Sequence, residues 1–387
     1  MKTNAKIFMM GISHLLVSFT SIVVVTRILG FNLPMAFLFS GLATILFHLV
    51  TNHKLPVVMG VSGLYLGSII YVTSEYGKEY AMGGILVAGL IYILFGLVML
   101  NKSRQRRLMK LFPTWLLSVT VMLIGLNLLP IGVSMLTSNM LIGLTAFFGV
   151  LIVDLFGGKS LKLFAMPIGV VLGTLVGALT GAIDMSVLSQ PQALDFQFPK
   201  FSLPAILAIA PVAFTVIFEM IGDIKNTSDI IGIDVYEEVG VGRIAIGNGL
   251  GTFFGGMLGA NAYTTYSENS AFLMLTKFFD PRAQIVTAFL MIAIALTPIT
   301  NIVMLIPSEA LGGVVAYLFA MITVNSLKQL FNSGIDLNKD VKEFIIITVM
   351  IVVAWTPCVI FGIEFSSVSV ATLVGVIMNG MLLKLKI

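Results

Sequence analysis

Apolar segments of membrane-spanning length follow one another along almost the whole chain of 387 residues. A helix needs about 20 mostly apolar residues to cross the hydrocarbon core of a bilayer. This pattern predicts an all-α polytopic membrane protein. We divide the chain into about fourteen such segments, at about 7–28, 34–53, 57–74, 81–100, 112–133, 137–156, 161–183, 203–223, 242–259, 264–278, 283–305, 309–330, 342–361 and 365–385.

The composition agrees with a membrane protein and excludes several other classes. Hydrophobic residues make up 58% of the chain and charged residues 10%, with a mean hydropathy of +1.05, whereas soluble domains are about 25% charged. The single Cys358 excludes an intrachain disulfide, and His14, His48 and His53 are too scattered for a metal cluster. The net charge is +4, and the basic residues lie in short loops and not in one patch, so we expect no nucleic-acid partner. We also expect no metal and no cofactor.

The basic residues predict the topology. If both termini are cytoplasmic, about nineteen Lys and Arg fall on the inner side and about three on the outer side, namely Arg27, Lys78 and Lys200. We therefore expect a multi-pass protein of the bacterial inner membrane with both termini in the cytoplasm. The basic run NKSRQRRLMK after the fourth segment is interpreted as a topology anchor, with contact to anionic lipid as the alternative.

Two segments, the third and the tenth, are short and interrupted by polar or small residues. The third reads LPVVMGVSGLYLGSII, and the tenth lies within GANAYTTYSENSAFLMLTK, where an extended start turns into a helix. If the chain is cut after the seventh segment, each half carries its broken segment in third place. Paired broken helices indicate an inverted-repeat transporter with a central site. We therefore predict a 7+7 inverted repeat, with short extended strands leading into half-helices three and ten.

Acidic residues at membrane depth are the candidates for function. Glu219 and Asp223 are four residues apart and share one face of the eighth segment, and Glu268 lies at the start of half-helix ten. An ionised acid at mid-bilayer costs about 2.5–3.5 kcal/mol on insertion scales, so such residues face a cavity or a ligand. Asp223, nearer the cytoplasmic end, has solvation as its alternative interpretation. Two carboxylates beside bare helix N–H groups suit a flat, neutral ring with N–H and C=O groups, without requiring it.

Two further side chains have alternative interpretations. His14, in the middle of the first segment, is either a packing histidine with satisfied nitrogens or a polar link to the eighth segment. Tyr65, in the third segment, either stacks on a planar substrate or packs in the core.

The tenth segment resembles the signature of the nucleobase–ascorbate transporter family, in which Gln or Glu is followed by Asn, any residue, Gly, four of any kind and Thr. Glu268, Asn269 and Thr276 match it, and Ala271 stands in place of the usual Gly. The TTY and EN residues of this run are most like bacterial uracil permeases.

Other parts of the chain carry the same resemblance. Glu219 and Gly222 match the family's E-H-x-G-H motif, while Met220 and Asp223 replace its two histidines. GNGLGTFFGG, LPVVMG and IPSEALGGV are similar to family landmarks, and His14 matches a histidine of the family's first helix.

The resemblance implies an architecture and a mechanism. A core domain would comprise residues 1–100 and 201–308, and a gate domain residues 101–200 and 309–387. A base would bind between half-helices three and ten, and a proton would be co-transported. The expected partners are a nucleobase, a proton and the lipid bilayer, with a homodimer as one arrangement. The implied substrate-binding residues are Glu219, Glu268, Ser267, Tyr266 and Tyr65, and the implied proton-coupling residues are Glu219, Asp223 and His14.

The resemblance thus implies a proton-coupled symporter for uracil or a related base that works by alternating access. The alternative is an anion transporter of the sulfate-permease type on the same fold, against which the carboxylate of Glu268 at a half-helix start argues. A membrane-embedded enzyme would need a nucleophile–base pair or a metal constellation, and the sequence shows neither.

Overall fold

The computed structural model describes residues 2–109, 113–162, 164–183, 185–189, 193–360 and 363–385. Within these ranges it describes most side chains, with Ser267, Glu268 and Ala271 among the exceptions.

The described residues are mostly helical. The helices are α1 Lys2–Ile28, α2 Leu33–Val50, α3 Leu66–Glu75, α4 Lys78–Met99, α5 Lys102–Met109, α6 Thr114–Ser138, α7 Met140–Phe156, α8 Lys159–Lys162, α9 Ala165–Leu179, α10 Leu203–Ile209, α11 Val212–Ile231, α12 Val235–Glu238, α13 Val241–Leu258, α14 Ser267–Thr276, α15 Arg282–Ala295, α16 Ile299–Met304, α17 Ser308–Phe331, α18 Val341–Ala354 and α19 Ser367–Leu385. The strands are β1 Met59–Val61, β2 Tyr263–Thr265, β3 Cys358–Ile360 and β4 Ile363–Phe365, and 3-10 turns cover Gly63–Tyr65 and Met185–Ser189.

Several helices have the length and composition of membrane spans. In the described part of the chain, α1, α2, α4, α6, α17 and the continuous run Leu203–Ile231 meet both requirements. Helices α7, α9 and α15 and the part Ser367–Leu382 of α19 are shorter apolar helices. Each of the fourteen predicted segments contains a described helix. The prediction of a helical membrane protein is therefore confirmed, whereas the count of fourteen spans and the 7+7 repeat stay predictions.

Prolines and glycines account for the places where helices differ from the predicted segments. The thirteenth segment was expected to be helical to residue 361, but α18 ends at Ala354 because Pro357 disfavours helical backbone just before it, and β3 pairs with β4 instead. The eleventh segment is divided into α15 and α16 at Pro298. The eighth segment was expected to end at residue 223, but α11 continues to Ile231. It ends there because Gly232 adopts a left-handed φ of 74°, which terminates the helix.

The helices pack in two groups. In the first group, α4 and α2 pack on α13, and α15 packs on α1 and α2. In the second, α17 packs on α6, α7 and α9. Glycines bring backbones together in both: a Cβ on Gly96 would lie 2.6 Å from the Gly242 carbonyl oxygen, and one on Gly313 would lie 2.1 Å from that of Gly143. Small residues permit such close approach in membrane helices.

Helix α11 lies where the two groups meet. It packs on α4 and α13 of the first group and on α14, which packs on α1. It also packs on α6 of the second group and on α19, which packs on α6. The Thr215 hydroxyl donates to Ser369 Oγ at 3.1 Å, and the Lys225 ammonium donates to Thr114 Oγ1 at 3.2 Å. The acidic pair of α11, residues 219 and 223, lies between these two contacts along the helix.

Candidate functional site

A buried two-stranded sheet brings the two broken segments together. Strands β1 and β2 are antiparallel, with Met59 opposite Thr265 and Val61 opposite Tyr263. All residues of both strands are buried. Strand β1 leads through a 3-10 turn into α3, and β2 leads through Tyr266 into α14. The strands expected before the two half-helices are therefore present, and they place the two helix starts side by side.

The helix starts supply donors at this place. The first four backbone N–H groups of an α-helix have no partner within the helix, and the helix dipole makes this end positive. Tyr266 precedes α14, but its hydroxyl does not cap the helix, because it donates to the Val61 carbonyl oxygen at 2.9 Å. The start of α14 can therefore offer N–H donors to a ligand with carbonyl oxygens.

The Tyr266 side chain also fixes β1 against the start of α14. Its ring lies on Gly60, where an added Cβ would be 2.1 Å from a ring carbon. Only glycine fits under this ring. The family resemblance implies a substrate-binding role for Tyr266, and the side-chain contact across the strands could not be inferred from the spacing of residues in the sequence.

Buried hydrogen bonds hold α14 in place from two neighbouring helices, α1 and α11. His14 Nδ1 lies 2.8 Å from Asn269 Oδ1, and the Asn269 amide donates to Ser18 Oγ at 3.2 Å. The hydroxyls of Thr227 on α11 and Ser270 lie 2.8 Å apart. Sequence analysis singled out Asn269 but not Ser18, Thr227 or Ser270, because a hydroxyl in an apolar helix does not reveal its partner.

His14 is a packing histidine with satisfied ring nitrogens. Its ring makes an edge contact with Phe272, with centroids 4.5 Å apart, and its Nε2 lies 2.9 Å from the side-chain amide of Gln284 on α15. The alternative of a polar link to the eighth segment is wrong, since these described partners lie on α14 and α15. Its proton-coupling role stays a prediction.

The acidic pair of α11 lies against this assembly. Helix α11 packs on β2, on α14 and on the 3-10 turn before α3. Thr265 Oγ1 donates to Asp223 Oδ2 at 3.4 Å, which links the acid to the end of β2. Glu219 and Asp223 are both partly exposed. Ser267 and Glu268 form the first turn of α14, and their side chains lie outside the described part of the structure.

Tyr65 lies deeper than a stacking residue would. Its side chain is 0% exposed, and its hydroxyl lies 2.6 Å from that of Tyr92 on α4. In this conformation it supports the turn before α3, and its place over a bound ring stays a prediction.

Two cavities lie between the helix groups. One of about 280 Å³ is bounded by α3, α6, α11 and the start of α19, with Ser68, Asn127 and Thr215 among its polar residues. A larger one, of about 550 Å³, is lined by Arg27, Ser134 and Ser308, away from the half-helix starts. We regard the first as the approach to the site, because the half-helix α3 forms one wall.

The apolar helices and the opposed half-helices define the class of protein as a multi-pass membrane transporter. Solved structures share the fold: the transmembrane domain of the cyanobacterial bicarbonate transporter BicA has a TM-score of 0.66 at 14% identity, covering 97% of both chains. SLC26A9 has a TM-score of 0.72 at 12% identity, covering 98% of this chain and 65% of the other.

The sequence assigns the family. The model described as "Permease family" (Xan_ur_permease) matches residues 5–363, and the chain belongs to this family. A "Probable uracil permease" of Pasteurella multocida (strain Pm70) is 28% identical over 400 residues, covering 100% of this chain and 95% of the relative. The "Uracil permease" of Bacillus caldolyticus is 26% identical, with 96% and 90% covered. The "Putative pyrimidine permease RutG" of Escherichia coli (strain K12) is 27% identical, with 98% and 90% covered. These relatives are permeases, which are transporters and not enzymes.

Proposed function

We propose that the protein is a proton-coupled symporter for uracil or a closely related base. The observation that carries this proposal is the pair of half-helix starts held side by side by the β1–β2 sheet, with the acidic pair of α11 against them. The names of the relatives, uracil and pyrimidine permeases, support the same substrate class.

The donors and acceptors of this arrangement suit such a ring. The carboxylates of Glu219 and Glu268 accept hydrogen bonds from the ring N–H groups. Backbone N–H groups at Ser267 and at the start of α14 donate to its carbonyl oxygens, with Tyr266 contributing backbone contacts. A neutral ring needs no counter-charge at the helix start, so a carboxylate at position 268 is compatible with it.

Movement of one helix group against the other provides alternating access. The proposed core domain, residues 1–100 and 201–308, contains β1, β2, α11 and α14, and the proposed gate domain contains residues 101–200 and 309–387. The packing of α13 on α2 and α4, and of α17 on α6 and α7, supports two bodies. Helix α11 would replace its present contacts with α6 and α19 by other contacts when the site turns from one side of the membrane to the other.

Proton coupling is assigned to the acids of α11. Glu219 takes a proton together with the base, so that each raises the affinity for the other by the same factor. Asp223 then receives the proton on the cytoplasmic side, and His14, which contacts α14 through Asn269, is the third proposed coupling residue. We further propose both termini in the cytoplasm of a bacterial inner membrane, from the distribution of Lys and Arg, and a homodimer as the assembly.

The second candidate is an anion transporter, because the solved structures with this fold include a bicarbonate transporter and an SLC26 anion transporter. At 12–14% identity they indicate the fold alone. An anion site would use the positive helix start directly, and Glu268 opposes that use.

Uptake into proteoliposomes tests the two candidates. The purified protein is given a panel of labelled bases, bicarbonate and sulfate, with and without an inward proton gradient. We expect accumulation of uracil or a related base that depends on the gradient. Uptake of an oxyanion with none of any base would overturn the proposal.

A further inference from the structure

Among the described residues, β1 and β2 form a two-stranded sheet, and no further strand lies beside their outer edges. In an antiparallel pair, alternate residues direct their N–H and C=O groups away from the partner strand. At membrane depth these groups need partners from the protein, since hydrocarbon offers none. Side chains of two neighbouring helices, α2 and α13, form hydrogen bonds with several of these backbone groups.

Helix α2 holds the outer edge of β1. Thr44 Oγ1 accepts a hydrogen bond from the Met59 backbone N–H at 3.0 Å and donates to the Ser40 carbonyl of its own helix at 2.8 Å. One turn further along, His48 Nε2 lies 2.9 Å from the Val57 carbonyl oxygen, just before the strand. Thr44 and His48 are both 0% exposed.

Helix α13 holds the outer edge of β2 with the same residue type. Thr252 Oγ1 accepts from the Tyr263 N–H at 3.0 Å and donates to the Tyr263 carbonyl oxygen at 2.9 Å. Its side chain is also 0% exposed. A hydroxyl can accept and donate at once, which an alkyl group of the same shape cannot do.

The two threonines act through one rigid frame. Helix α2 packs directly on α13, and a Cβ on Gly247 would lie 2.8 Å from the Phe47 ring, so the spacing of the helices is fixed. The strands are thus held from outside by Thr44 and Thr252 and from inside by their own pairing. Any slip of either strand moves the half-helix start that follows it.

We infer that Thr44 and Thr252 are positioning residues, whose hydroxyls set the separation of the α3 and α14 starts and thereby the affinity for the transported base. This inference rests on the proposed function. A hydrogen bond weakens steeply when donor and acceptor leave their preferred geometry, so the loss of one hydroxyl is expected to weaken binding by about tenfold, or about 1.4 kcal/mol.

Valine and serine substitutions test the inference in the purified full-length protein. Thr44→Val and Thr252→Val keep the shape and remove the hydroxyl, whereas Thr44→Ser and Thr252→Ser keep it. Thr372→Val is the matched control, because Thr372 is also 0% exposed and its hydroxyl donates at 2.8 Å to a carbonyl of its own helix, Val368, without touching the sheet.

Three quantities are measured for each variant: the dissociation constant of labelled uracil, the melting temperature without base, and amide hydrogen exchange of peptides covering 57–66 and 260–267. We expect each valine variant to bind about tenfold more weakly, with faster exchange in the strand that it holds. The serine variants should stay within about twofold of the wild type, and Thr372→Val should change neither affinity nor exchange in these peptides.

The outcomes separate a positioning role from a merely structural one. A lower melting temperature in the valine variants with unchanged uracil affinity overturns the inference, as does an equal loss in the serine variants. If Thr44→Val does not fold, Thr252→Val decides. If the wild type binds no base, the proposed function fails and hydrogen exchange alone decides: exchange equal to wild type in the valine variants then overturns the positioning role.

Discussion

Individual carboxylates carry the most direct predictions, and Glu268 at the start of α14 is the first. Glu268→Gln replaces one acceptor by a donor. Loss of a charge-assisted hydrogen bond costs about 1.5–3 kcal/mol, so we expect uracil to bind roughly ten- to a hundredfold more weakly. Glu309→Gln is the control, since Glu309 lies in the first turn of α17, outside the half-helix starts. Equal uracil affinity in Glu268→Gln and the wild type would show that residue 268 does not contact the base.

The acids of α11 should separate binding from coupling. We expect Glu219→Gln to lose uptake altogether, because it removes both an acceptor and a proton site. Asp223→Asn should keep base exchange across the membrane but lose accumulation driven by a proton gradient. Both are measured in proteoliposomes over a range of pH. Gradient-driven accumulation by Glu219→Gln with the wild-type pH profile would contradict the assignment of coupling to this residue.

A third residue-scale prediction concerns Gly60 under the Tyr266 ring. Gly60→Ala places a methyl group within the ring, and overpacking costs about 1–3 kcal/mol, so the melting temperature should fall. Gly67→Ala, in the first turn of α3, is the control, since an added Cβ meets nothing within 4 Å. It should leave stability unchanged or slightly higher, because alanine is the better helix former. Equal melting temperatures for the two variants would contradict the packing described here.

At the scale of elements, the broken segments were predictable and their supports were not. The glycines, serines and threonines of MGVSGLY and YTTYSEN interrupt apolar runs, so the strands before α3 and α14 could be predicted. Which threonine hydroxyl forms a hydrogen bond with which strand depends on how the helices pack. The sequence LATILFH around Thr44 does not indicate that this hydroxyl bonds β1. The end of α18 at Ala354 was missed because Pro357 lies inside an apolar run whose hydropathy alone favours a longer helix.

At the scale of the whole molecule, a cross-link between the two helix groups should stop transport without stopping binding. In a Cys358→Ser background, Thr215→Cys with Ser369→Cys joins α11 to α19 at side chains whose hydroxyl oxygens are 3.1 Å apart. Oxidation should abolish uracil uptake, reduction should restore it, and uracil binding should persist in both states.

A control pair lies within one group. Thr26→Cys with Asn261→Cys replaces side chains that are hydrogen-bonded at 3.2 Å, and both belong to the proposed core domain. Its oxidation should leave uptake intact. Full uptake by the oxidised 215–369 pair would mean that the two groups do not move against each other at these residues.

The pairing of β1 with β2 also has a consequence for the order in which the protein folds during its synthesis. Met59 and Thr265 face each other in the sheet but are separated by about 200 residues of chain, and ribosomes add about 5–20 residues per second. Roughly 10 to 40 seconds therefore pass between the synthesis of the first strand and that of its partner. During that interval β1 is already preceded by α2, whose Thr44 and His48 can bond one of its edges. The other edge has no partner strand until β2 is made in the second half of the chain, so the candidate site cannot form before residue 265 has been synthesised.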